Sequence, residues 1–238
     1  MRTDGRRTDE LRPITLEVGF SRFAEGSTLI TQGETVVLCN ATVEERQPNW
    51  LAQSGQEGGW VTAEYAMLPR STLTRTTREN VPQARSQEIR RLIGRSLRSA
   101  VRLEHLGKRQ IIVDCDVLQA DGGTRTAAIT GGYVALALAL QRLIDSDLAP
   151  AQVLGMPVAA VSVGSLANEP LLDLCYSEDA GADVDLNVVM NAGGQYVEVQ
   201  GTAERMPFDR AQLDRLLDLA ARGIGAILRA QAHALGRD

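Results

Sequence analysis

The strongest constraint on the fold is a long segment, residues 126–144, that is rich in Ala and Leu and apolar on nearly every side of a helix. A helix of this kind is buried on most of its sides, because an exposed apolar face would stay in contact with water. The segment before it, residues 110–118, alternates with the period of a β-strand. Together the two segments predict a mixed fold with a helix in its interior.

The rest of the pattern predicts further strands and two more helices. Strands are predicted over residues 14–18, 27–31, 35–43, 60–68, 158–166, 171–176, 184–191 and 195–200, with a hairpin turn at 32–34. Helices are predicted over residues 86–106, with Arg91, Arg95, Arg98 and Arg102 on one face, and over 209–234, with Asp209 as the N-cap. We interpret residues 46–60 as a mobile loop and residues 69–83 as an exposed loop rich in Arg and Thr.

Each half of the chain runs strands first and then a helix, although no repeat is visible at the level of residues. No linker rich in Pro or Ser separates the halves. A chain of 238 residues can bury a large core without disulfides or metals. We therefore predict one compact α+β domain spanning residues 1–238.

Several classes of protein are not expected. No stretch approaches eighteen apolar residues without a charge, and the N-terminus has no apolar core behind its charges, so we predict neither a membrane span nor a signal peptide. Cys39, Cys115 and Cys175 are widely spaced and odd in number, which is typical of reduced thiols in a cytoplasmic protein. With His105 and His233 as the only histidines, we do not expect a zinc site.

The charge is distributed unevenly, although a net charge of −5 by itself argues against a nucleic-acid-binding protein. Residues 70–109 hold ten Arg and one Lys against three Glu, whereas no basic residue lies between Arg142 and Arg205. The first region could meet a polyanion, and the second could hold a divalent cation. A general preference for Arg, with these side chains solvating a helix face, also fits a chain that has 24 Arg and one Lys.

Residues 121–125, Asp-Gly-Gly-Thr-Arg, lie between the predicted strand and the buried helix. Two glycines permit a tight turn that exposes backbone N–H groups, and the helix start adds unpaired donors and the positive end of its dipole. Thr124 adds a hydroxyl, and Arg125 adds a guanidinium that fits two phosphate oxygens. The pattern indicates an anion site, but an ordinary tight turn with a surface Arg fits it equally well.

Four acidic residues, Glu178, Asp179, Asp183 and Asp185, interrupt an apolar stretch of the second half. Asp185 occupies a strand position whose side chain points away from its apolar neighbours. Buried charges are costly unless they are paired, hydrogen-bonded or bound to metal, and carboxylates on adjacent segments suit Mg²⁺ together with substrate phosphates. For Glu178 and Asp183 we adopt the simpler interpretation of an exposed acidic loop.

Arg70, Arg75 and Arg78 lie in the predicted loop 69–83. Basic groups on a flexible segment can hold a sugar–phosphate backbone without reading bases, although the residues alone favour a merely solvated loop. An anion site, a Mg²⁺ site and a basic loop through which a polyanion could approach together fit the transfer of a phosphoryl or nucleotidyl group on a nucleic acid. Such chemistry depends mainly on positioning and charge neutralisation.

Several segments, in one order along the chain, resemble the ribonuclease PH family. The most specific is IIVDCDVLQADGGTRT at residues 111–126. The others are IRRLIGRSLR at 89–98, LLDLCYSEDAGADVDLNVVM at 171–190, VEVQGTAE at 197–204, and the N-terminal residues 2–4 and 7–13. With the terminal helix, the resemblance covers nearly the whole chain.

The resemblance implies a phosphorolytic 3′→5′ exoribonuclease, in which inorganic phosphate attacks the last phosphodiester of an RNA and releases a nucleoside diphosphate reversibly. The implied substrate is the 3′ trailer of precursor tRNA, and other structured RNAs such as rRNA are also trimmed. The implied fold is a pair of βαβα-like halves of the ribosomal protein S5 domain 2 type. The implied partners are RNA and further copies of the chain in a hexameric ring, a trimer of dimers, without a membrane.

The resemblance also assigns roles by position. It assigns phosphate binding to Arg85, Gly123, Thr124 and Arg125, catalysis and Mg²⁺ binding to Asp179 and Asp185, and RNA contacts to Arg70, Arg75 and Arg78. The residue directly before Arg85 is Ala84, where the family pattern leads us to expect a Gly, and this small residue keeps the site compact. The loop near residues 46–59 matches weakly and supports no role.

Two other classes of protein are alternatives to a phosphorolytic exoribonuclease. A non-catalytic ring subunit would bind RNA only, but such subunits typically lack the phosphate-binding and acidic residues that this chain has. A small-molecule phosphate transferase would leave the Arg loop and the basic region 70–109 without a role. The sequence leaves open which of the two aspartates acts as a general acid.

Overall fold

The computed structural model describes Arg2, residues 4–78 and residues 84–237, and it contains nine strands in the described part of the chain. They are Ile14–Val18 (β1), Gly26–Gln32 (β2), Thr35–Glu44 (β3), Trp60–Met67 (β4), Gln110–Gln119 (β5), Val158–Leu166 (β6), Glu169–Leu172 (β7), Val184–Asn191 (β8) and Tyr196–Ala203 (β9). One sheet has the order β1-β2-β3-β5-β4, and the other has the order β7-β6-β8-β9. The predicted mixed α+β class is confirmed.

The α-helices of the described residues are Asn49–Ser54 (α1), Ala84–Arg98 (α2), Thr124–Asp145 (α3), Tyr176–Asp179 (α4) and Arg210–Ala234 (α5). In the first sheet, β2 and β3 form the predicted hairpin, with Gln32 opposite Thr35. β4 is parallel to β5, so the chain must cross over between them, and α2 lies in that crossover.

The helix α3 lies between the two sheets, as its uniformly apolar surface predicts. Its buried residues share one hydrophobic cluster with Val113 and Val117 of the first sheet and with Ala160 and Val189 of the second. In length and mean hydropathy (1.5) α3 could cross a membrane, but 78% of that stretch is buried inside the fold. Its apolar surface is therefore used by the core.

The other face of the second sheet is covered by α5. Along β8, Val184, Leu186 and Val188 belong to a cluster with Leu216 and other residues of α5. Because strand side chains alternate between faces, Asp185 points away from these apolar neighbours, as predicted, and this places it on the α3 side. The predicted cap of α5 is also confirmed, since an Asp209 carboxylate oxygen accepts the backbone N–H of Gln212.

Three predicted elements are wrong in part. The predicted loop 46–60 contains the short helix α1, and α3 begins at Thr124 rather than at residue 126. The helix predicted over 86–106 ends at Arg98, so Arg102 is not on its face. The chain leaves the helix there because the Arg102 N–H donates to the Val153 carbonyl at 2.9 Å.

The strand predicted over 171–176 is also wrong beyond Leu172, where β7 ends. Asp173 turns the chain with a φ of 57°, and Tyr176–Asp179 then forms the single-turn helix α4. A left-handed residue other than Gly is rare and needs support from its surroundings. That support comes from Arg12, described below. Because Arg12 is distant in sequence, the pattern of residues 171–176 alone does not reveal it.

Candidate active site

The turn at residues 121–123 joins β5 to α3 and has a left-handed backbone. Gly122 and Gly123 have φ values of 76° and 65°. Gly122 also lies against the chain that leads into α4, so a Cβ on it would stand 2.6 Å from the carbonyl oxygen of Leu174. Glycine is therefore needed both for the backbone conformation and for this close approach.

Arg12 and Thr35 fix this turn from two other parts of the chain. The Arg12 side chain is 4% exposed, and its Nη2 lies 2.7 Å from Oδ1 of Asp173. The same guanidinium donates to the carbonyl oxygens of Asp121 and Gly122. The Thr35 hydroxyl donates to the Gly122 carbonyl at 2.7 Å and accepts the Asp121 N–H at 2.9 Å. The buried charges of Arg12 and Asp173 satisfy each other, and the turn is held on both sides.

Thr124 and Arg125 occupy the first turn of α3, where backbone N–H groups have no partner within the helix. The Thr124 hydroxyl is hydrogen-bonded to the hydroxyl of Tyr65 on β4, at 2.9 Å. Arg125 Nη1 lies 3.4 Å from Oε1 of Gln200 on β9 and 4.0 Å from Oε1 of Glu88 on α2. The guanidinium of Arg125 therefore lies between the second sheet and α2.

Asp179 ends α4, and Asp185 lies on β8 on the side that faces α3. Burial and the negative charge of Asp179 raise the pKa of Asp185 to about 6, and the positive charge of Arg125 opposes this rise. Loss of surrounding water also raises the pKa of Asp179, against the charges of Arg125 and Arg85. Arg125 therefore acts on both carboxylates.

Arg85 lies in the first turn of α2 and is exposed. Its charge opposes the rise in the pKa values of Asp179 and of Tyr65 that burial causes, so it belongs to the same neighbourhood. The structure thus brings together six side chains, which we call the site cluster: Tyr65, Arg85, Thr124, Arg125, Asp179 and Asp185. Ala84, the small residue directly before Arg85, begins α2.

Glu178 does not belong to an exposed loop, and this expectation is wrong. It is 4% exposed, and its carboxylate oxygens lie 2.7 and 2.6 Å from Nε and Nη2 of Arg2. Burial alone would raise the pKa of Glu178, but hydrogen bonds from Arg2 and from the Cys175 N–H lower it. Asp183 is half-buried too, and it accepts the Ala167 N–H at 2.8 Å. Arg2 is 176 residues away in sequence, so local patterns do not reveal this counter-charge.

The sequence-predicted RNA-binding residues, Arg70, Arg75 and Arg78, all lie on the exposed segment that follows β4. Arg70 donates to the Leu73 carbonyl at 2.7 Å, and within the described residues no hydrogen bond or ion pair joins the three arginines to the site cluster. The Ala120 N–H donates to the Ser71 carbonyl at 2.8 Å. The base of this loop is therefore next to the 121–123 turn, while its tip is in solvent.

Asp179 and Asp185 fit a hard divalent cation by their chemistry. Asp179 makes ionisation of Asp185 less favourable, and a cation between them would relieve that repulsion. Among the residues that the structure describes, no three His, Cys, Asp or Glu side chains form a metal-binding group. Two carboxylates nevertheless suit Mg²⁺, which commonly takes one or two protein carboxylates and completes its shell with water and substrate phosphates.

Sequence reasoning missed Tyr65, Arg12 and Asp173. A signal for Tyr65 exists, because it falls at an inward position of the strand predicted over 60–68, where a buried hydroxyl needs a partner. Arg12 and Asp173 give no such signal, since they are 161 residues apart and the chemistry of the pair appears only when the fold brings them together.

Replacing Gly122 with alanine is expected to destabilise the protein by roughly 2–4 kcal/mol, because the new Cβ meets backbone atoms and the left-handed conformation is strained. Any displacement of the turn also moves Thr124 and Arg125, so we expect the phosphorolytic activity that the resemblance implies to fall about 100-fold. Urea unfolding and steady-state kinetics measure the two effects.

The matched control is Gly194→Ala. Gly194 has a φ of 75°, but no atom lies within 4 Å of the Cβ that alanine would add. This variant therefore carries the backbone strain alone, about 1–2 kcal/mol. Equal unfolding free energies for the two variants, or full activity of Gly122→Ala, would show that the close approach has no importance.

Comparison with known proteins identifies the family. The chain matches the models for the 3′ exoribonuclease family, domain 1, over residues 10–141, and domain 2, over residues 156–223. Ribonuclease PH of Moorella thermoacetica is 55% identical over 99% of this chain and 95% of the relative. Ribonuclease PH of Solibacter usitatus is 53% identical over 97% of this chain and 98% of the relative.

Two solved structures share the fold at lower identity. A chain of the Archaeoglobus fulgidus exosome with RNA bound to the active site has a TM-score of 0.80 and 22% identity, covering 96% of this chain and 91% of that one. Rice (Oryza sativa) Rrp46 has a TM-score of 0.78 and 18% identity, covering 98% of both chains. With both domain models matched and relatives more than half identical along nearly its whole length, the chain belongs to the ribonuclease PH family of 3′ exoribonucleases.

Proposed function

We propose that this chain trims the 3′ trailer of precursor tRNA, and other structured RNAs, as a phosphate-dependent 3′→5′ exoribonuclease. Full-length ribonuclease PH relatives at 53–55% identity support phosphorolytic 3′ exoribonuclease activity in tRNA processing, with inorganic phosphate as co-substrate. The observation that carries the proposal is the position of Arg125, whose charge acts on both Asp179 and Asp185. An anion held at the start of α3 therefore lies beside two carboxylates.

The reaction is an exchange at phosphorus. An oxygen of inorganic phosphate attacks the terminal phosphodiester, and the bond from phosphorus to the 3′-oxygen of the preceding nucleotide breaks. The last nucleotide leaves as a nucleoside diphosphate, and the shortened RNA keeps a 3′-hydroxyl that has taken up a proton. No oxidant or further reactant is needed, and the reaction can run backwards.

In this proposal Arg85, Thr124 and Arg125 hold the attacking phosphate. Arg125 provides a planar fork for two oxygens, and the Thr124 hydroxyl and the N–H groups of the first turn of α3 provide further donors. Gly123 has no side chain, so the anion can approach the backbone closely. Positioning of this kind can supply much of the rate enhancement of a phosphoryl transfer.

Asp179 and Asp185 are the proposed catalytic carboxylates, and they would hold Mg²⁺. The ion, when bound, neutralises charge on the reacting phosphoryl group. Asp185 is the better candidate for donating the proton to the departing 3′-oxygen, because it is more buried than Asp179 and burial favours the protonated carboxyl. Asp179 is more exposed, on α4, and is proposed as mainly a ligand.

Arg70, Arg75 and Arg78 are proposed to hold the RNA backbone on its way to the site cluster. Their exposure leaves the guanidinium groups accessible, and the base of their loop lies next to the 121–123 turn. Contacts of this kind bind phosphates without reading sequence.

We also propose that copies of this chain assemble into a ring of six, a trimer of dimers. In a ring, several copies of the basic region 70–109 could surround one opening, which would explain how a chain of net charge −5 binds RNA. Sizing chromatography with light scattering tests the assembly, and a monomer at micromolar concentration would contradict it.

The test of the function is a trimming assay on a tRNA with an extended 3′ end. With phosphate and Mg²⁺ we expect nucleoside diphosphates and stepwise shortening, and without phosphate we expect neither. Release of nucleoside monophosphates would indicate hydrolysis instead. Binding of RNA with no release of nucleotides would favour the non-catalytic ring subunit, and absence of salt-dependent RNA binding would favour a small-molecule transferase.

A further inference from the structure

Tyr65 is the one member of the site cluster to which neither the resemblance nor the proposed mechanism gives a role. It lies on β4, is 6% exposed, and packs in the main hydrophobic cluster with Val61 and Ala63. Its ring is thus held among apolar side chains, while its hydroxyl reaches Thr124 Oγ1 at 2.9 Å. A rigid ring with a single polar tip fixes the position of that tip.

The direction of this hydrogen bond determines what Thr124 can do. A threonine hydroxyl has one proton and can accept hydrogen bonds on its lone pairs. If Tyr65 donates, the Thr124 proton stays available for a bound anion. If Thr124 donates to Tyr65, its only proton is already used.

The surroundings favour Tyr65 as the donor. Burial raises the pKa of the Tyr65 hydroxyl, against the nearby charges of Arg85 and Arg125, so Tyr65 keeps its proton at neutral pH. Within the described structure, the bond to Thr124 is the only hydrogen bond of that hydroxyl, so its proton has this one acceptor. Thr126, two residues later, differs because its hydroxyl donates to the Gly123 carbonyl at 2.9 Å and is used within the helix start.

We propose that Tyr65 is a positioning residue for the phosphate co-substrate: its hydroxyl donates to Thr124 Oγ1 and so orients the Thr124 proton toward the anion. The chain of donors then runs from Tyr65 to Thr124 to phosphate, and each bond polarises the next. This inference rests on the proposed function and adds to it a residue that acts through Thr124 without touching the substrate.

The test is Tyr65→Phe, which removes one oxygen and keeps the ring in the core. At saturating RNA we expect KM for phosphate to rise about tenfold, near the upper end of what the loss of one hydrogen bond costs. At saturating phosphate we expect KM for RNA to stay within about twofold, and kcat to fall less than KM rises. The matched control is Tyr133→Phe, another buried tyrosine, on α3 and outside the site cluster, which should leave both KM values unchanged.

A merely structural bond between β4 and α3 predicts a different result. Its loss would lower the melting temperature without a specific change in KM for phosphate, and that outcome would overturn the proposal. An equal rise of both KM values would overturn it too. A wild-type protein that releases no nucleoside diphosphates would instead contradict the proposed function.

A double-mutant cycle with Thr124→Val gives a second measurement. Tyr65 acts through the Thr124 hydroxyl, so Tyr65→Phe should change KM for phosphate less than twofold once that hydroxyl is absent. If the two single effects multiply instead, Tyr65 acts independently of Thr124 and the proposal is wrong.

Discussion

Replacing Arg125 with alanine is expected to slow phosphate-dependent release of nucleoside diphosphates by about 1,000-fold. Arg125 is the proposed bidentate partner of the phosphate, and its charge also acts on both proposed catalytic carboxylates. Affinity for RNA should change less than about threefold, because the proposed RNA contacts lie on the 69–78 loop. Steady-state kinetics with varied phosphate, and fluorescence anisotropy with labelled RNA at fixed salt, measure the two quantities.

Two further variants make this prediction specific. Arg125→Lys keeps the positive charge but loses the planar fork, so it should recover part of the activity and not all of it. Arg210→Ala removes an exposed arginine at the start of α5, which among the described residues forms an ion pair only with Asp214 on the same helix, and should have full activity. Normal nucleoside diphosphate release by Arg125→Ala would show that the phosphate is held elsewhere.

The fold could be predicted from the sequence wherever one local pattern determines the structure. The strands at 14–18, 158–166 and 184–191 have the predicted limits, because turn residues bound each of these β-rich segments. The buried helix α3 was equally clear, since only an interior position satisfies an apolar surface on all sides. Helix ends are harder to predict. The helix α2 ends at Arg98, because the Arg102 N–H donates to the Val153 carbonyl instead of continuing the helical hydrogen bonds.

The charged residues of the candidate site could be predicted from the sequence. The ion pairs that hold the surrounding segments in place could not. Thr124, Arg125, Asp179 and Asp185 occur in two short motifs whose residue types already indicate an anion and a cation. The pair of Arg12 with Asp173 and the pair of Arg2 with Glu178 join the N-terminal segment to the second half of the chain. Partners so distant in sequence cannot be matched without the fold, and for this reason Glu178 was wrongly placed on the surface.

These supports have a consequence for how the site works. The 121–123 turn and the chain leading into α4 are in direct contact at Gly122, and Arg12 binds both. The proposed phosphate-binding turn is therefore tied to the segment that leads to Asp179, one of the two proposed metal ligands. Because reacting groups must be held closely in line, a rigid connection of this kind favours phosphoryl transfer over loose binding.

Replacing Asp185 with asparagine is expected to lower phosphorolysis by about 1,000-fold and at the same time to stabilise the metal-free protein. Asparagine has nearly the same shape, but it can neither carry the negative charge that the proposed ion requires nor donate a carboxyl proton to the departing 3′-oxygen. It also removes a carboxylate that is partly buried and repelled by Asp179.

The stabilisation depends on pH, and its sign follows from the pKa. Asp185 has a pKa of about 6 in the folded protein against 3.8 as the ordinary value, so the folded state binds this proton more tightly than the unfolded state does. Ionising it in the fold therefore costs stability, and this cost grows between about pH 4 and pH 6 and is constant above. At one pKa unit per 1.36 kcal/mol, the cost at pH 7.5 is on the order of 1–3 kcal/mol. Asp185→Asn should avoid it, so its advantage is small at pH 4 and full at pH 7.5.

Thermal unfolding in the presence of a chelator, at both pH values, measures this difference, and Mg²⁺ then tests its cause. If Asp179 and Asp185 hold the ion, Mg²⁺ raises the melting temperature of the wild type at pH 7.5 and has little effect on Asp185→Asn. Asp114 is the matched control, because burial and Asp116 also raise its pKa but it lies on β5 outside the site cluster. Asp114→Asn should be stabilised while keeping its activity and its response to Mg²⁺. If Asp185→Asn responded to Mg²⁺ like the wild type, Asp185 would not be a ligand, and the two carboxylates would need a different explanation.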